Sequence, residues 1–156
     1  MKDSSEKLQH IQSFLALSDQ IGTAGQPTVT QFEDIRAAGF QTVVNLALVD
    51  STDAIPEESA IVSDLGMEYV HIPVDWEVPT LADLNRFFEV MDQRSNAQVF
   101  VHCAKNMRVS AFMYLYRVLR QRMPPEEAQE ALLQIWQPIP HWQAFMDQAI
   151  TAFTSG

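Results

Sequence analysis

Residues 99–110 read Val-Phe-Val-His-Cys-Ala-Lys-Asn-Met-Arg-Val-Ser and pass from an apolar run through a polar segment into a helical pattern. The apolar run, residues 99–101, has the length and the β-branched and aromatic composition of a buried strand. The helical pattern runs from Val109 to Arg122. Between them lies Cys103, the only cysteine of the sequence. The stretch therefore predicts a strand–loop–helix unit with a thiol in its loop.

A loop of this kind is suited to holding an anion. Backbone N–H groups at a helix N-terminus lack partners, and the helix dipole favours negative charge there. The same field stabilises a thiolate at Cys103. Arg108 adds a planar guanidinium that suits phosphate oxygens, and Lys105 adds a second positive charge. A thiolate that faces a bound phosphate ester is placed for nucleophilic phosphoryl transfer, although a lone cysteine is more often a small buried hydrophobe.

The segment resembles the signature loop of cysteine-based phosphatases, the protein tyrosine and dual-specificity superfamily. In that loop His-Cys is followed by five residues, an arginine, and a serine or threonine. His102, Cys103 and Ser110 match in position, whereas Arg108 stands one residue early and Val109 takes the expected place of the arginine.

The resemblance implies a role for each residue of the loop. Cys103 is the nucleophile, His102 orders the loop, and Ser110 assists the departure of the thiolate. Asn106 stands where many dual-specificity enzymes have glycine, and asparagine tolerates a left-handed backbone. The phosphate-binding residues are Ala104, Lys105, Asn106, Met107 and Arg108.

The short Cys-to-Arg spacing leaves two geometries open. In one, the loop is a residue shorter and the helix starts early, which displaces Ser110 relative to Cys103. In the other, the loop has the common length and the Arg108 side chain swings back, so that Ser110 keeps its place. One residue turns a helical side chain by about 100°, so the choice decides what Arg108 faces.

A phosphocysteine mechanism also needs a general acid for the leaving oxygen. Related phosphatases supply an aspartate from a loop that precedes the cysteine, and Asp75 stands in such a loop 28 residues before Cys103. Glu77 is the second candidate, and Asp50 and Asp53 are weaker ones. The alternative is that Asp75 only caps or solvates its loop. The neighbouring Trp76 either walls the substrate pocket or covers core.

Strands alternate with helices along the chain, which predicts an α/β fold with a central, mostly parallel sheet of four or five strands flanked by helices. Residues 8–17 form a short amphipathic helix or an irregular lead-in. Residues 1–156 form one domain.

Loops 47–53, 73–79 and 102–108 all leave the carboxyl ends of strands and therefore share one pocket. Strands are predicted at 21–23, 41–46, 68–72 and 98–101, and helices at 28–38, 56–65, 80–94, 109–122, 124–136 and 141–153. Trp136 and Trp142 are predicted to have a packing role rather than a functional one, because they lie at helix ends far along the chain from the cysteine loop.

A second resemblance covers roughly residues 18–145. Ala24-Gly25-Gln26-Pro27-Thr28, Gly39-Phe40 and Asn45-Leu46, together with the cysteine loop, resemble a bacterial phosphatase-like family whose members sometimes accompany β-lactamase-fold hydrolases. The resemblance implies a dual-specificity-like fold. It also implies hydrolysis of phosphotyrosine or aryl phosphates through a phosphocysteine, with no metal or cofactor.

Net charge and cysteine content indicate which binding partners and which cellular compartment to expect. Twenty acidic and ten basic residues give a formal net charge of −10, which disfavours nucleic acid and anionic membranes and leaves a phosphorylated protein or a small-molecule phosphate. A single cysteine excludes an internal disulfide and fits a reducing, cytoplasmic location. The first seventeen residues lack a signal-peptide pattern, and no apolar run is long enough to span a membrane.

Three functions remain open on these observations. The first is a slow cysteine-dependent phosphatase. The second is a phosphate- or phosphoprotein-binding pseudophosphatase, and the third is a rhodanese-like sulfurtransferase. The pairing of Arg108 with Ser110 favours the first two.

Overall fold

A five-stranded sheet forms the centre of the protein, whose computed structural model describes residues 6–154. The strands are β1 (Leu15–Ala16), β2 (Ile21–Ala24), β3 (Thr42–Asn45), β4 (Glu68–His71) and β5 (Val99–His102). Their order in the sheet is β1-β2-β5-β3-β4, and all neighbours are parallel except β1 and β2. The predicted α/β fold with a mostly parallel sheet is confirmed. The two-residue β1 lies in the segment that was predicted to be helical or irregular.

Six helices of at least seven residues lie within residues 6–154. They are α1 (Val29–Ala37), α2 (Glu58–Asp64), α3 (Leu81–Gln93), α4 (Met107–Leu119), α5 (Pro125–Ile135) and α6 (Pro140–Thr154). Local chemistry sets several starts: Thr28 and Thr80 each accept a hydrogen bond from a backbone N–H of the first turn of α1 and α3. None of these described helices is both long and apolar enough to cross a membrane.

The helices cover both faces of the sheet. Successive strand residues point to opposite faces, so Val43 and Phe100 pack in a cluster with Phe32 of α1 and Val62 of α2. Val44 and the flanking residues of β5 belong to the second cluster, on the side of α3–α6. Each fully buried aliphatic or aromatic side chain contributes roughly 1.5–3 kcal/mol, so the two clusters hold the sheet from both sides. The largest buried side chains of the second cluster are Phe87, Phe88, Phe112 and Trp142.

The topology places the cysteine loop at the middle of one sheet edge. Strands β2, β5, β3 and β4 run parallel, so their carboxyl ends lie together. Strand β5 is central, between β2 and β3, and ends at His102. The loops that follow β2, β3 and β4 therefore surround the residues that follow β5.

Candidate active site

The cysteine loop is short and passes directly into a helix. Helix α4 begins at Met107, two residues before the predicted start, which puts Arg108 in its first turn. Asn106 precedes the helix with φ 67° and ψ 1°, a left-handed conformation that asparagine tolerates better than most residues. Its amide donates to Ser13 O at 2.9 Å and to Thr23 Oγ1 at 3.1 Å. This is the geometry with the shorter loop and the early helix start.

The loop forms one wall of a cleft of about 360 Å³ at the carboxyl edge of the sheet. This volume falls in the range of small-ligand sites. Cys103 is a free cysteine and only 1% exposed. The residues that line the cleft are Thr52, Trp76, Cys103, Ala104, Lys105, Met107 and Arg108. Four of the five predicted phosphate-binding residues are therefore in the cleft wall, and the fifth, Asn106, anchors the loop from behind.

Arg108 brings a buried positive charge to this cleft. The Nη1 atom of its guanidinium donates to Val74 O at 3.0 Å, and the Nη2 atom lies 3.5 Å from Ser51 Oγ. These contacts tie it to the loops after β4 and β3. Within residues 6–154 no carboxylate lies within 4.0 Å of Arg108. Its charge is therefore not neutralised by a neighbour and is available to an anion in the cleft.

The N-terminus of α4 adds backbone donors to the same place. The first four N–H groups of a helix have no partner within it. The Asn106 side chain makes no capping bond to α4, and its amide points instead to the β1–β2 region. The first turn, which includes Met107 and Arg108, thus faces the cleft without a side-chain cap, an arrangement that favours a bound oxyanion.

Behind the cysteine, His102 is fully buried and hydrogen-bonded through both ring nitrogens. Nδ1 lies 3.2 Å from Cys103 O, and Nε2 lies 2.6 Å from Glu58 Oε2. The second oxygen of Glu58 accepts a hydrogen bond from Gln26 Nε2 at 2.8 Å. Burial raises the pKa of Glu58, but the hydrogen bond and charge of His102 outweigh it, so the pKa falls below the usual 4.5. Glu58 is a residue that sequence reasoning missed, because 44 positions separate it from His102.

Ser110 stands apart from the thiol. Its hydroxyl donates to Met107 O at 2.9 Å and accepts from the indole N–H of Trp136 at 3.0 Å. A hydroxyl carries one proton, and here the carbonyl of Met107 takes it. No hydrogen bond joins Ser110 to Cys103 in the described part of the chain. The geometry matches the displaced position that the short loop implies for Ser110.

The carboxylate of Asp75 is exposed and binds its own loop. Oδ1 accepts the backbone N–H of Glu77 at 2.8 Å and that of Val78 at 3.3 Å. Glu77, Asp50 and Asp53 are also exposed. None of these four carboxylates is among the residues that line the cleft, whereas Trp76, next to Asp75, lines it. The structure thus places the predicted general acid beside the cleft and not inside it.

The loop that carries Asp75 is held from behind by Trp136, which directly follows α5, and by aromatic residues of α6. The ring centroid of Trp76 lies 5.4 Å from that of Trp136 and 5.5 Å from that of Trp142. Trp76 O accepts the indole N–H of Trp142 at 2.9 Å and lies 3.0 Å from His141 Nε2. The predicted packing role of Trp136 and Trp142 is confirmed, but the fold brings both next to the cleft despite their distance in sequence.

Across residues 6–154, no three or more histidine, cysteine, aspartate or glutamate side chains are arranged to hold a metal ion.

Comparison with known proteins gives consistent matches. Residues 9–146 match the model of a family described as DSP-PTPase phosphatase fused to NAD+ kinase. A candidate phosphatase (DUF442) from Shewanella putrefaciens CN-32 is 36% identical, and its crystal structure matches with a TM-score of 0.87 over 95% of this chain and 97% of that chain. The structure of PTPMT1 in complex with PI(5)P, 18% identical, matches with a TM-score of 0.77 over 92% of this chain and 97% of that chain, and shares the fold.

A curated relative matches over part of its length. The β-lactamase hydrolase-like protein of Agrobacterium fabrum is 26% identical over 117 residues, which is 73% of this chain and 27% of that protein. The chain thus spans about a quarter of the length of this relative.

Proposed function

The chain belongs to the family described as DSP-PTPase phosphatase fused to NAD+ kinase, and from this premise we propose that it is a cysteine-dependent phosphatase that hydrolyses phosphate monoesters. One observation carries the proposal: Cys103, the buried guanidinium of Arg108 and the N-terminus of α4 share one cleft. A nucleophile, a fixed cation and unpaired backbone donors are what phosphoryl transfer through a cysteine requires.

In the first step the Cys103 thiolate attacks the phosphorus of the bound ester. The S–P bond forms while the P–O bond to the leaving group breaks, and the electron pair of that bond goes to the leaving oxygen. Asp75 supplies the proton for this oxygen, with Glu77 as the second candidate. Arg108 and the first turn of α4 stabilise the charge on the transferring phosphoryl oxygens.

In the second step water attacks the phosphorus of phosphocysteine. The S–P bond breaks, the thiolate of Cys103 leaves, and the deprotonated acid takes the proton of the water. Ser110 was predicted to assist this departure, but its hydroxyl is bound to Met107 O and Trp136. We therefore propose that turnover is slow and that release of the thiolate is the step that is slowed.

We propose an aryl phosphate or phosphotyrosine as the substrate class. Trp76 lines the cleft with the residues of the cysteine loop. Aromatic rings prefer stacked or edge-to-face contact with one another, so Trp76 offers a face to an aromatic leaving group. The source of such a group is a phosphorylated protein or a small-molecule phosphate.

Hydrolysis of p-nitrophenyl phosphate tests the proposal. The wild-type protein should release nitrophenolate with no added metal, and Cys103→Ser should abolish release while inorganic phosphate still binds. Arg108→Ala should weaken both phosphate affinity and turnover by about tenfold or more, because a charge-assisted hydrogen bond contributes roughly 1.5–3 kcal/mol. Equal rates for wild type and Cys103→Ser would refute the nucleophilic role.

A second candidate, a phosphate-binding pseudophosphatase, is favoured by one observation. The Ser110 hydroxyl and the Asp75 carboxylate, which the mechanism needs, are both engaged with backbone of their own segments. Under this hypothesis the wild-type protein binds phosphate but hydrolyses no aryl ester faster than Cys103→Ser does. The same two measurements therefore separate the two candidates.

A further inference from the structure

A buried chain of hydrogen bonds runs from helix α2 to the backbone of the cysteine loop. We infer that Glu58 is a positioning residue: through His102 it holds the Cys103 carbonyl away from the cleft and so aims the Ala104 N–H at the phosphate. The inference rests on the proposed function of the cleft as a phosphate site.

Glu58 is fixed at both of its oxygens. It is 3% exposed, with Oε2 2.6 Å from His102 Nε2 and Oε1 accepting from Gln26 Nε2 at 2.8 Å. A buried carboxylate is stable only when it is paired and hydrogen-bonded, so these contacts leave it little freedom. Glu58 therefore defines where the far nitrogen of the His102 ring must lie.

The protons on the His102 ring follow from its neighbours. Cys103 O only accepts hydrogen bonds, so Nδ1, 3.2 Å away, must carry a proton to bind it. A second proton lies between Nε2 and the carboxyl of Glu58. Without the carboxylate, a neutral imidazole carries one proton and is free to place it on Nε2. The Cys103 carbonyl would then lose its donor.

The peptide unit transmits this hold to the cleft. A trans peptide is planar, and its N–H points opposite to its C=O. With Cys103 O held towards His102, the N–H of Ala104 points to the opposite side, where Ala104 lines the cleft. The next carbonyl, Ala104 O, is held in turn by the backbone N–H of Gln26 at 3.0 Å. Successive N–H groups that face one side make a concave anion site.

Phosphate affinity tests this role with a matched control. The dissociation constant of inorganic phosphate is measured by calorimetry for wild type, Glu58→Leu, His102→Asn and the double variant. Glu57→Leu makes the same substitution at an exposed position next to Glu58 and should bind phosphate within about twofold of wild type. Glu58→Leu leaves His102 Nε2 without a polar partner and should weaken phosphate binding by about tenfold, the contribution of one hydrogen bond.

The double variant distinguishes positioning through His102 from a general loss of structure. If Glu58 acts through His102, the double variant should bind phosphate no more weakly than His102→Asn alone. Additive losses, or a Glu58→Leu variant that binds like wild type, overturn the inference.

A measurement on the wild-type protein decides the matter if Glu58→Leu does not fold. Saturation with inorganic phosphate should move the amide proton resonance of Ala104, and His102 should show a proton on Nδ1. An unmoved Ala104 resonance in phosphate-saturated protein overturns the inference even if aryl esters are hydrolysed. A moved resonance without hydrolysis supports it, and in that case only the proposed catalysis fails.

Discussion

At the scale of single residues, Gly25 and Asn106 give the cysteine loop its shape. A Cβ at Gly25 would lie 2.5 Å from Ala104 O and 2.7 Å from Gln12 Cγ. Only glycine allows this approach, which brings the N–H of Gln26 to Ala104 O. Asn106 takes a left-handed backbone and turns the chain into α4. The Gly-Gln-Pro motif is thus a support for the cysteine loop.

Gly25→Ala should therefore damage the cleft as well as the stability. Because the clash includes a backbone carbonyl of the loop, we expect a loss of roughly 1–3 kcal/mol of unfolding free energy and weaker phosphate binding. Gly66→Ala is the control. It is also strained, at φ +85°, but meets nothing closer than 3.7 Å. Urea unfolding should show a lower unfolding free energy for both variants. Calorimetry should show weaker phosphate binding for Gly25→Ala alone. Unchanged phosphate affinity in Gly25→Ala would contradict this explanation.

Asp75→Asn separates acid catalysis from loop structure, because the asparagine oxygen still accepts the two backbone hydrogen bonds of the loop. If Asp75 is the acid, the substitution should slow hydrolysis of esters with poor leaving groups far more than hydrolysis of esters with good ones, since only the former need a proton. The comparison is kcat/KM across a series of substituted phenyl phosphates, with Glu77→Gln as the control. Equal slowing across the series would exclude Asp75 as the acid.

At the scale of elements, the early start of α4 decides which way its first side chains point. Arg108 reaches the loops after β3 and β4, and Ser110 turns towards Trp136 at the end of α5. Farther along the helix, Phe112 stacks on Phe145 of α6 at 6.0 Å between centroids. The position of α4 is thus set by its packing against α5 and α6, and the cysteine loop must span the distance that remains.

The turn into α4 should be sensitive to residue type at position 106. Asn106→Ala loses two hydrogen bonds and places alanine at φ 67°, so we expect roughly 2–4 kcal/mol of destabilisation. Asn106→Gly loses the same hydrogen bonds but has no backbone strain, and should cost about 1–2 kcal/mol less. Urea unfolding of the two variants measures the difference. If both unfold at the same urea concentration, strain at this position is unimportant.

At the scale of the whole molecule, the cysteine loop is held in place by residues on the far side of the sheet. Helix α2 lies on the face that also carries α1, and its Glu58 reaches His102 at the end of the central strand. Gln26 joins this pair from the loop after β2. Three segments distant in sequence therefore meet in one buried polar cluster, and global stability and loop geometry are coupled through it.

This coupling predicts a loss of stability in acid. The folded-state pKa of Glu58 is lowered below the usual 4.5, so the stabilisation from its ionised form is fully present above about pH 4.5 and is lost as the pH falls through the lower, folded-state value. Urea unfolding between about pH 3 and 7 should show this loss for wild type, and Glu58→Gln should flatten it.

Glu68 provides the control for the acid effect. Its pKa is also lowered, chiefly by the hydrogen bond from Arg94, but its side chain is 50% exposed and the pair is screened by solvent. Glu68→Gln should therefore leave the pH dependence close to that of wild type. A Glu68→Gln variant with the flatter curve would assign the acid sensitivity to the surface pair.

Local patterns in the sequence determined most of the elements and the chemistry of the loop. Alternating apolar runs and helical periodicity identify β2–β5 and the six helices, and Thr28 and Thr80 mark helix starts by their side-chain oxygens. The left-handed turn at Asn106 is compatible with its residue type, since asparagine tolerates this conformation. Each of these features depends on residues within a few positions of one another, so it is visible without the fold. The two-residue β1 is too short to produce a periodic pattern.

The tertiary structure decided which residues meet. Glu58 reaches His102 across 44 positions, and Trp136 reaches Ser110 across 26, without a signal in sequence spacing. The direction of Arg108 was open between two geometries until the packing of α4 fixed the length of the loop. The physical reason is that long-range partners are set by the strand order β1-β2-β5-β3-β4 and by side-chain packing between layers. Both are properties of the assembled sheet and helices, and neither is encoded in any single segment.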